Sequence, residues 1–250
     1  MYERSEFVPT RAVAADACAA GDGQGGAVEA PVSQAPRMPV GVSGEAAQLL
    51  ERAYALDSDE KSRALYRDWA ETYDETMLTG LNYLSPAKVA DLLALHLHDR
   101  SASILDIGCG TGLAGQGLAS HGFRHIDGLD ISPEMMEVAK RRGVYRHFIT
   151  ADLNRVLDLP SAQYDGATCS GTFTHGHVAA PCLDEVFRIL KPGAPFAFTV
   201  KLEVWESLGF KDKLLELGAR GRITCLAFAH DTHYASSAQP DGVFCVYARA

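Results

Sequence analysis

The stretch Ile104-Leu105-Asp106-Ile107-Gly108-Cys109-Gly110-Thr111-Gly112 is an apolar run that breaks into three alternating glycines just before a helical pattern at Leu113. The run reads as a buried strand. Glycines at alternate positions let the backbone turn sharply and let a nucleotide-like ligand lie against main-chain N–H groups. Similar apolar runs follow at HIDGLDI, HFITAD, YDGATCSG and PFAFTV. Between them lie helical stretches over 113–120 and 133–142 and around Leu183, Val186, Phe187 and Leu190. Strand and helix in alternation make βαβ units, so the spacing predicts an α/β fold, a mostly parallel sheet with helices on both faces. Two last runs, RITCLAFAH and GVFCVYAR, are joined by a polar loop with Pro240, Asp241 and Gly242 and can pair as an antiparallel hairpin at the sheet edge.

Ahead of this pattern, residues 1–44 are rich in Ala, Gly, Pro and small polar residues, including GDGQGG at 21–26. Such a composition buries too little apolar surface to offset ordering entropy and predicts a disordered tail. From Glu45 the spacing of Leu49, Leu50, Ala53 and Tyr54 is helical. A second helix, with Asp57 as N-cap and Glu60 three residues on, carries Leu65, Tyr66, Trp69 and Tyr73. A third opens on Ser85 as N-cap and Pro86. These helices predict a lid over about 45–98, within one folded domain over 45–250.

A net charge of -9 argues against a nucleic-acid partner and against an anionic membrane surface. No apolar run approaches the roughly 20 residues that span a bilayer, and the acidic start at Glu3, Glu6 and Asp16 is unlike a leader, so a cytoplasmic location is expected. The six cysteines form no Cys-x-x-Cys pair, which fits a reducing compartment and neither a disulfide scaffold nor a zinc site. His230, Asp231 and His233 have metal-ligand chemistry, but nothing completes the set. They read as solvated loop residues, and no metal is expected.

The glycine loop alone leaves two ligand classes open. Gly110 to Gly115 also satisfies G-x-G-x-x-G with Asp130 about 20 residues on, the pattern of a nicotinamide dinucleotide site. Asp106, on the strand before the glycines, would repel a pyrophosphate and attract the ammonium and sulfonium of S-adenosylmethionine; its other reading is to accept backbone N–H bonds and shape the loop. Asp130 ends the second strand, where a carboxylate can hold ribose hydroxyls, since Ser132-Pro133 already caps the next helix. Asp152, at the end of the third strand, could accept from an adenine amino group, with Ile131, Met135 and Leu153 as walls. Gly108, Cys109, Gly110, Gly112 and Ser170 complete the expected cofactor set. Tyr66 and Tyr73 with Trp69 either cover the sulfonium, a cation–ring attraction of about 0.5–2 kcal/mol, or dock their helix on the sheet. His175 and His177, beyond the fourth strand, read either as exposed loop residues or as general bases, which contribute about 10²–10⁴ in rate.

Asp106 to Gly112, Asp130 and Asp152, with Leu190-Lys191-Pro192-Gly193 as the turn before strand five, resemble the class I S-adenosylmethionine-dependent methyltransferases. The resemblance covers about residues 60–250. It implies a Rossmann-like fold, a seven-stranded sheet with an antiparallel last strand, and S-adenosyl-L-methionine as cofactor. Tyr66 to Asp74, Leu81 to Pro86, Leu129 to Met135 and Asp241 to Phe244 are similar to the Williams–Beuren syndrome chromosome region 27 methyltransferase-like proteins. The loop 171–177, with its two histidines, departs from that pattern. The expected activity is methyl transfer by in-line displacement to a small-molecule acceptor; a silent cofactor-binding partner or regulatory protein, and a protein methyltransferase, are the alternatives.

Overall fold

The computed structural model describes residues 44–54, 59–175 and 178–250. The apolar runs become seven strands: β1 Ser103–Ile107, β2 His125–Asp130, β3 Tyr145–Thr150, β4 Gly166–Phe173, β5 Pro195–Lys201, β6 Ile223–Asp231 and β7 Gly242–Arg249. The helices are α1 Glu45–Tyr54, α2 Asp59–Trp69, α3 Ser85–His96, α4 Leu113–Ser120, α5 Pro133–Lys140, α6 Cys182–Ile189 and α7 Phe210–Ala219, with a π-helical turn at Glu75–Gly80. Most of the expected tail and the Asp57 cap lie outside the described residues.

The strands form one sheet in the order β3-β2-β1-β4-β5-β7-β6. Neighbours from β3 to β5 are parallel, while β7 runs antiparallel to both β5 and β6. The last two runs do pair antiparallel, but β7 is inserted inside the sheet and only β6 is outermost. Burial explains the order. Val243, Phe244, Cys245 and Val246 are all shut from solvent, so β7 has two apolar faces and takes an interior place, whereas exposed positions recur along β6.

Successive side chains point to opposite faces. Leu105, Ile107, Phe196 and Phe198 join α6 and α7 in the larger core. Ile104, Ile126 and Ala197 join α3 and α4 in the other. A third cluster forms from α1, α2 and the π-helical turn, where Leu50, Leu65, Trp69 and Met77 pack on Tyr83 and Tyr234.

Two expected caps part company. Ser132 caps α5, its hydroxyl taking the Met135 N–H at 3.3 Å. Ser85 does not cap α3: Leu84 is the N-cap, and the Ser85 hydroxyl lies 2.6 Å from His233 Nδ1. The tertiary contact takes the hydroxyl that a local cap would have used.

Candidate active site

β1 ends in a loop where Gly108, Gly110 and Gly112 have φ of +64°, +52° and +89°. A Cβ on Gly108 would collide with Thr172 Oγ1, so strain and space both demand glycine there. The loop is tied to β2. The Cys109 N–H bonds the Leu129 carbonyl at 3.0 Å, and the Gly110 N–H donates to Asp130 Oδ2 at 2.8 Å. The other Asp130 oxygen takes the Ser132 N–H at 2.9 Å. Burial pushes the Asp130 carboxyl up, against the backbone N–H groups of Ser132, Gly110 and Ile131.

Between this loop and the turn after β3 lies a cavity of about 110 Å3, several times the roughly 10–15 Å3 that one water needs, and therefore a site rather than a packing flaw. Of the residues expected at the cofactor, Tyr66, Tyr73, Gly108, Gly110, Asp130, Ile131, Met135, Asp152 and Leu153 line it. β3 stops at Thr150, so Asp152 sits in the turn beyond the strand rather than at its end, with the Asn154 N–H on Oδ1 at 2.9 Å.

Four expected residues lie outside this lining. Asp106 does not face the cavity: it is 1% exposed, its oxygens taken by the Tyr145 hydroxyl at 2.6 Å and the Thr168 hydroxyl at 2.9 Å. It accepts two side-chain hydroxyls from within the fold, where the sequence reading offers ligand contact or backbone N–H groups. Cys109 turns its thiol toward Gly128, and burial pushes that thiol well up. Gly112 caps α4. Ser170 faces Tyr83, 3.4 Å between hydroxyls.

His175 is half-buried and lines neither this cavity nor the one beside it. Burial lowers its pKa, Lys201 adds to the lowering, and Glu203 opposes it. His177 lies outside the described residues. His233 is not a solvated loop residue: it is 2% exposed, and burial first, then Lys201 and Lys88, hold its imidazole far below the usual range. Asp231 pairs with Lys88 at 2.8 Å. Among the described residues no group of three His, Cys, Asp or Glu could hold a metal ion.

The sequence reading missed Thr172 and Val178, which also line the cavity. Between Cys169 and Phe173, β4 advances four residues while β5 advances two, from Phe198 to Val200. Such a bulge re-aims side chains at the strand end, and Gly171 at φ +75° is its trace in the sequence.

A clamp ties the turn after α2 to the glycine loop. Asp74, in the turn after α2, takes the Thr111 hydroxyl at 2.6 Å and pairs with Arg142. Arg142 also donates to the Thr111 carbonyl and to Gln116 Oε1, each at 2.5 Å. Tyr66 and Tyr73 line the cavity with their ring centroids 6.3 Å apart. Burial pushes both hydroxyls above their ordinary value.

The cavity residues fit S-adenosylmethionine. Two glycines bare the backbone, and Asp130 accepts the Gly110 and Ser132 N–H groups, which leaves about two of the roughly four acceptor positions of its carboxylate. Ile131, Met135 and Leu153 supply apolar walls for a flat base.

Residues 104–193 match a family model described as a methyltransferase domain. Methyltransferase-like protein 27 of Homo sapiens is 33% identical over 152 residues, 60% of this chain and 61% of that protein. Shorter matches run to the ubiquinone biosynthesis O-methyltransferase of Xylella fastidiosa strain 9a5c, 31% identical over 45% of this chain and 47% of the relative. Another is the 18S rRNA (guanine-N(7))-methyltransferase RID2 of Arabidopsis thaliana, 41% identical over 32% of this chain and 27% of the relative. The chain thus spans less than two thirds of the length of these curated relatives. The complex between the Haloferax volcanii Trm112 methyltransferase activator and the putative methyltransferase shares the fold, with a TM-score of 0.57 at 19% identity over 74% of this chain and 97% of the matched one. Sheet order and structural likeness agree on the Rossmann-like fold of S-adenosylmethionine-dependent methyltransferases, and residues 104–193, which hold the glycine loop, match the methyltransferase domain model.

Proposed function

We propose that the chain is a methyltransferase that moves a methyl group from S-adenosylmethionine to a small-molecule acceptor. The observation that carries this reading is the single lined cleft in which the glycine loop, Asp130 and the 151–154 turn meet under Tyr66 and Tyr73. When bound, S-adenosylmethionine supplies an electrophilic methyl on a sulfonium. Asp130 holds the ribose hydroxyls, Asp152 the base edge, and Ile131, Met135 and Leu153 its faces. Tyr66 and Tyr73 exclude water and present ring faces to the cationic centre. An acceptor atom aligned with the methyl then displaces it in line, and alignment in a dry site supplies much of the acceleration.

The net charge of -9 favours a small acceptor over RNA, as does the likeness to a ubiquinone biosynthesis O-methyltransferase; the rRNA methyltransferase points the other way over a shorter stretch. Calorimetric titration is expected to show binding of S-adenosylmethionine and S-adenosylhomocysteine and none of NAD. Asp130→Ala should weaken both by about 1.5–3 kcal/mol, the range for hydrogen bonds to a charged group. Unchanged affinity in a folded variant would return Asp130 to a purely structural role. Transfer of labelled methyl to RNA or protein, and to no small molecule, would overturn the acceptor class.

A further inference from the structure

Beside the first cavity lies a second, smaller one of about 40 Å3, and Tyr66 and Tyr73 line both. Trp69 and Tyr83 enclose it further, and its polar floor comes from the carboxyl ends of three strands: Thr174 after β4, Lys201 ending β5, and His233 after β6.

This floor has a definite chemistry. Thr174 is 6% exposed, and its hydroxyl has no hydrogen-bond partner among the described residues, an arrangement that is costly unless a ligand completes it. Lys201 is 5% exposed, with its ammonium 4.9 Å from the Tyr234 ring centroid and 3.1 Å from Asp241. Asp241 is shared: it also takes the His233 N–H at 2.6 Å and the Ser237 hydroxyl at 3.3 Å. Burial pulls the Lys201 pKa down, but Tyr234, Asp241 and Glu203 outweigh it, so the lysine stays charged. A cationic guest would meet that ammonium, and a purely apolar one would leave Thr174 unmet. An oxygen that carries negative charge satisfies both, and the aromatic walls favour a flat ring beneath it.

Resting on the methyltransferase reading above, we propose that this chamber is the acceptor site and takes the hydroxyl end of a small aromatic acceptor, a phenol or enol, with Thr174 and Lys201 on its oxygen. The hydroxyl proton passes to solvent as the oxygen binds in its anionic form. The O–CH3 bond then forms as the S–CH3 bond breaks, and that bond's electron pair stays on sulfur as a neutral thioether. Lys201 and Thr174 are positioning residues for the oxygen.

The test uses 4-nitrophenol, which absorbs as the yellow phenolate and is colourless as the phenol. It is added to the full chain saturated with S-adenosylhomocysteine, at a pH below its own pKa. The phenolate band should grow with protein and saturate, and nitrobenzene should not suppress it. Lys201→Met should abolish the band, and Thr174→Val should weaken the titration by about tenfold to a hundredfold, the worth of one hydrogen bond to a charged group. Thr174→Val keeps the protein's charge and should keep its S-adenosylhomocysteine titration, so it decides the matter alone if Lys201→Met does not fold. Absence of the band, binding of the neutral phenol only, or an equal band in Thr174→Val overturns the proposal while S-adenosylhomocysteine binding leaves the methyltransferase reading standing. A chain that binds no S-adenosylhomocysteine overturns both.

Discussion

Asp106 carries the Tyr145 and Thr168 hydroxyls on its two oxygens, yet burial outweighs these donors and pushes its carboxyl up to about 6. An unfolded aspartate titrates near pH 3.9, so the folded chain holds this proton more tightly than the unfolded one. The stability from this group is therefore complete below about pH 4 and is lost as the pH rises through about 6. Asparagine at this position does not ionise. The unfolding free energy of Asp106→Asn minus that of the unaltered chain should rise by about 2–3 kcal/mol between pH 4 and pH 7. Urea titrations at four pH values read that difference directly, and a flat difference would show that the carboxyl is not perturbed. His233 slopes the other way: its folded pKa is depressed, so acid below the ordinary histidine value destabilises the fold through it. Both chains share His233, so that slope cancels in the comparison.

Among the elements, the turn between α2 and the π-helical turn depends on the Asp74, Thr111 and Arg142 clamp. The side chain of Arg142 is 15% exposed and that of Asp74 is 34% exposed, so solvent screens the pair only in part. Arg142→Met should loosen this turn by about 1–2 kcal/mol. Hydrogen exchange over residues 59–80 should then rise, and saturating S-adenosylhomocysteine should restore part of the protection. Equal exchange in variant and unaltered chain would make the clamp ornamental. The strands and helices themselves were legible in the sequence because period and punctuation are local properties. Distant partners were not legible: His233 takes the Ser85 hydroxyl from 148 positions away, and the Tyr145 and Thr168 hydroxyls reach Asp106 from 39 and 62 positions away. With Asp106 turned from the cavity, its charge no longer separates S-adenosylmethionine from a dinucleotide, and the separation rests on the domain match instead. Lys201 lay unremarked at the end of an apolar run, where nothing local distinguishes it from a solvated lysine.

At the scale of the whole molecule, the sheet is completed from its middle. β7 pairs with β5 over seven positions and with β6 over eight, and it supplies buried side chains to cores on both faces. A chain shortened by residues 242–249 should therefore fail to unfold cooperatively in a thermal scan, rather than melt a few degrees early; a sharp transition would mean that β5 and β6 can close up without it. The same placement governs how the protein is made. During synthesis from the N-terminal end, β5 and β6 emerge before the strand that separates them, and each carries an unpaired edge beside exposed apolar side chains until residues 242–249 follow. Two open edges on a nascent chain are templates for pairing with a neighbour. On a crowded polysome the hazard peaks just before β7 emerges, so yield in the cell should respond to the rate of translation and to chaperone supply more than to the melting temperature of the folded protein.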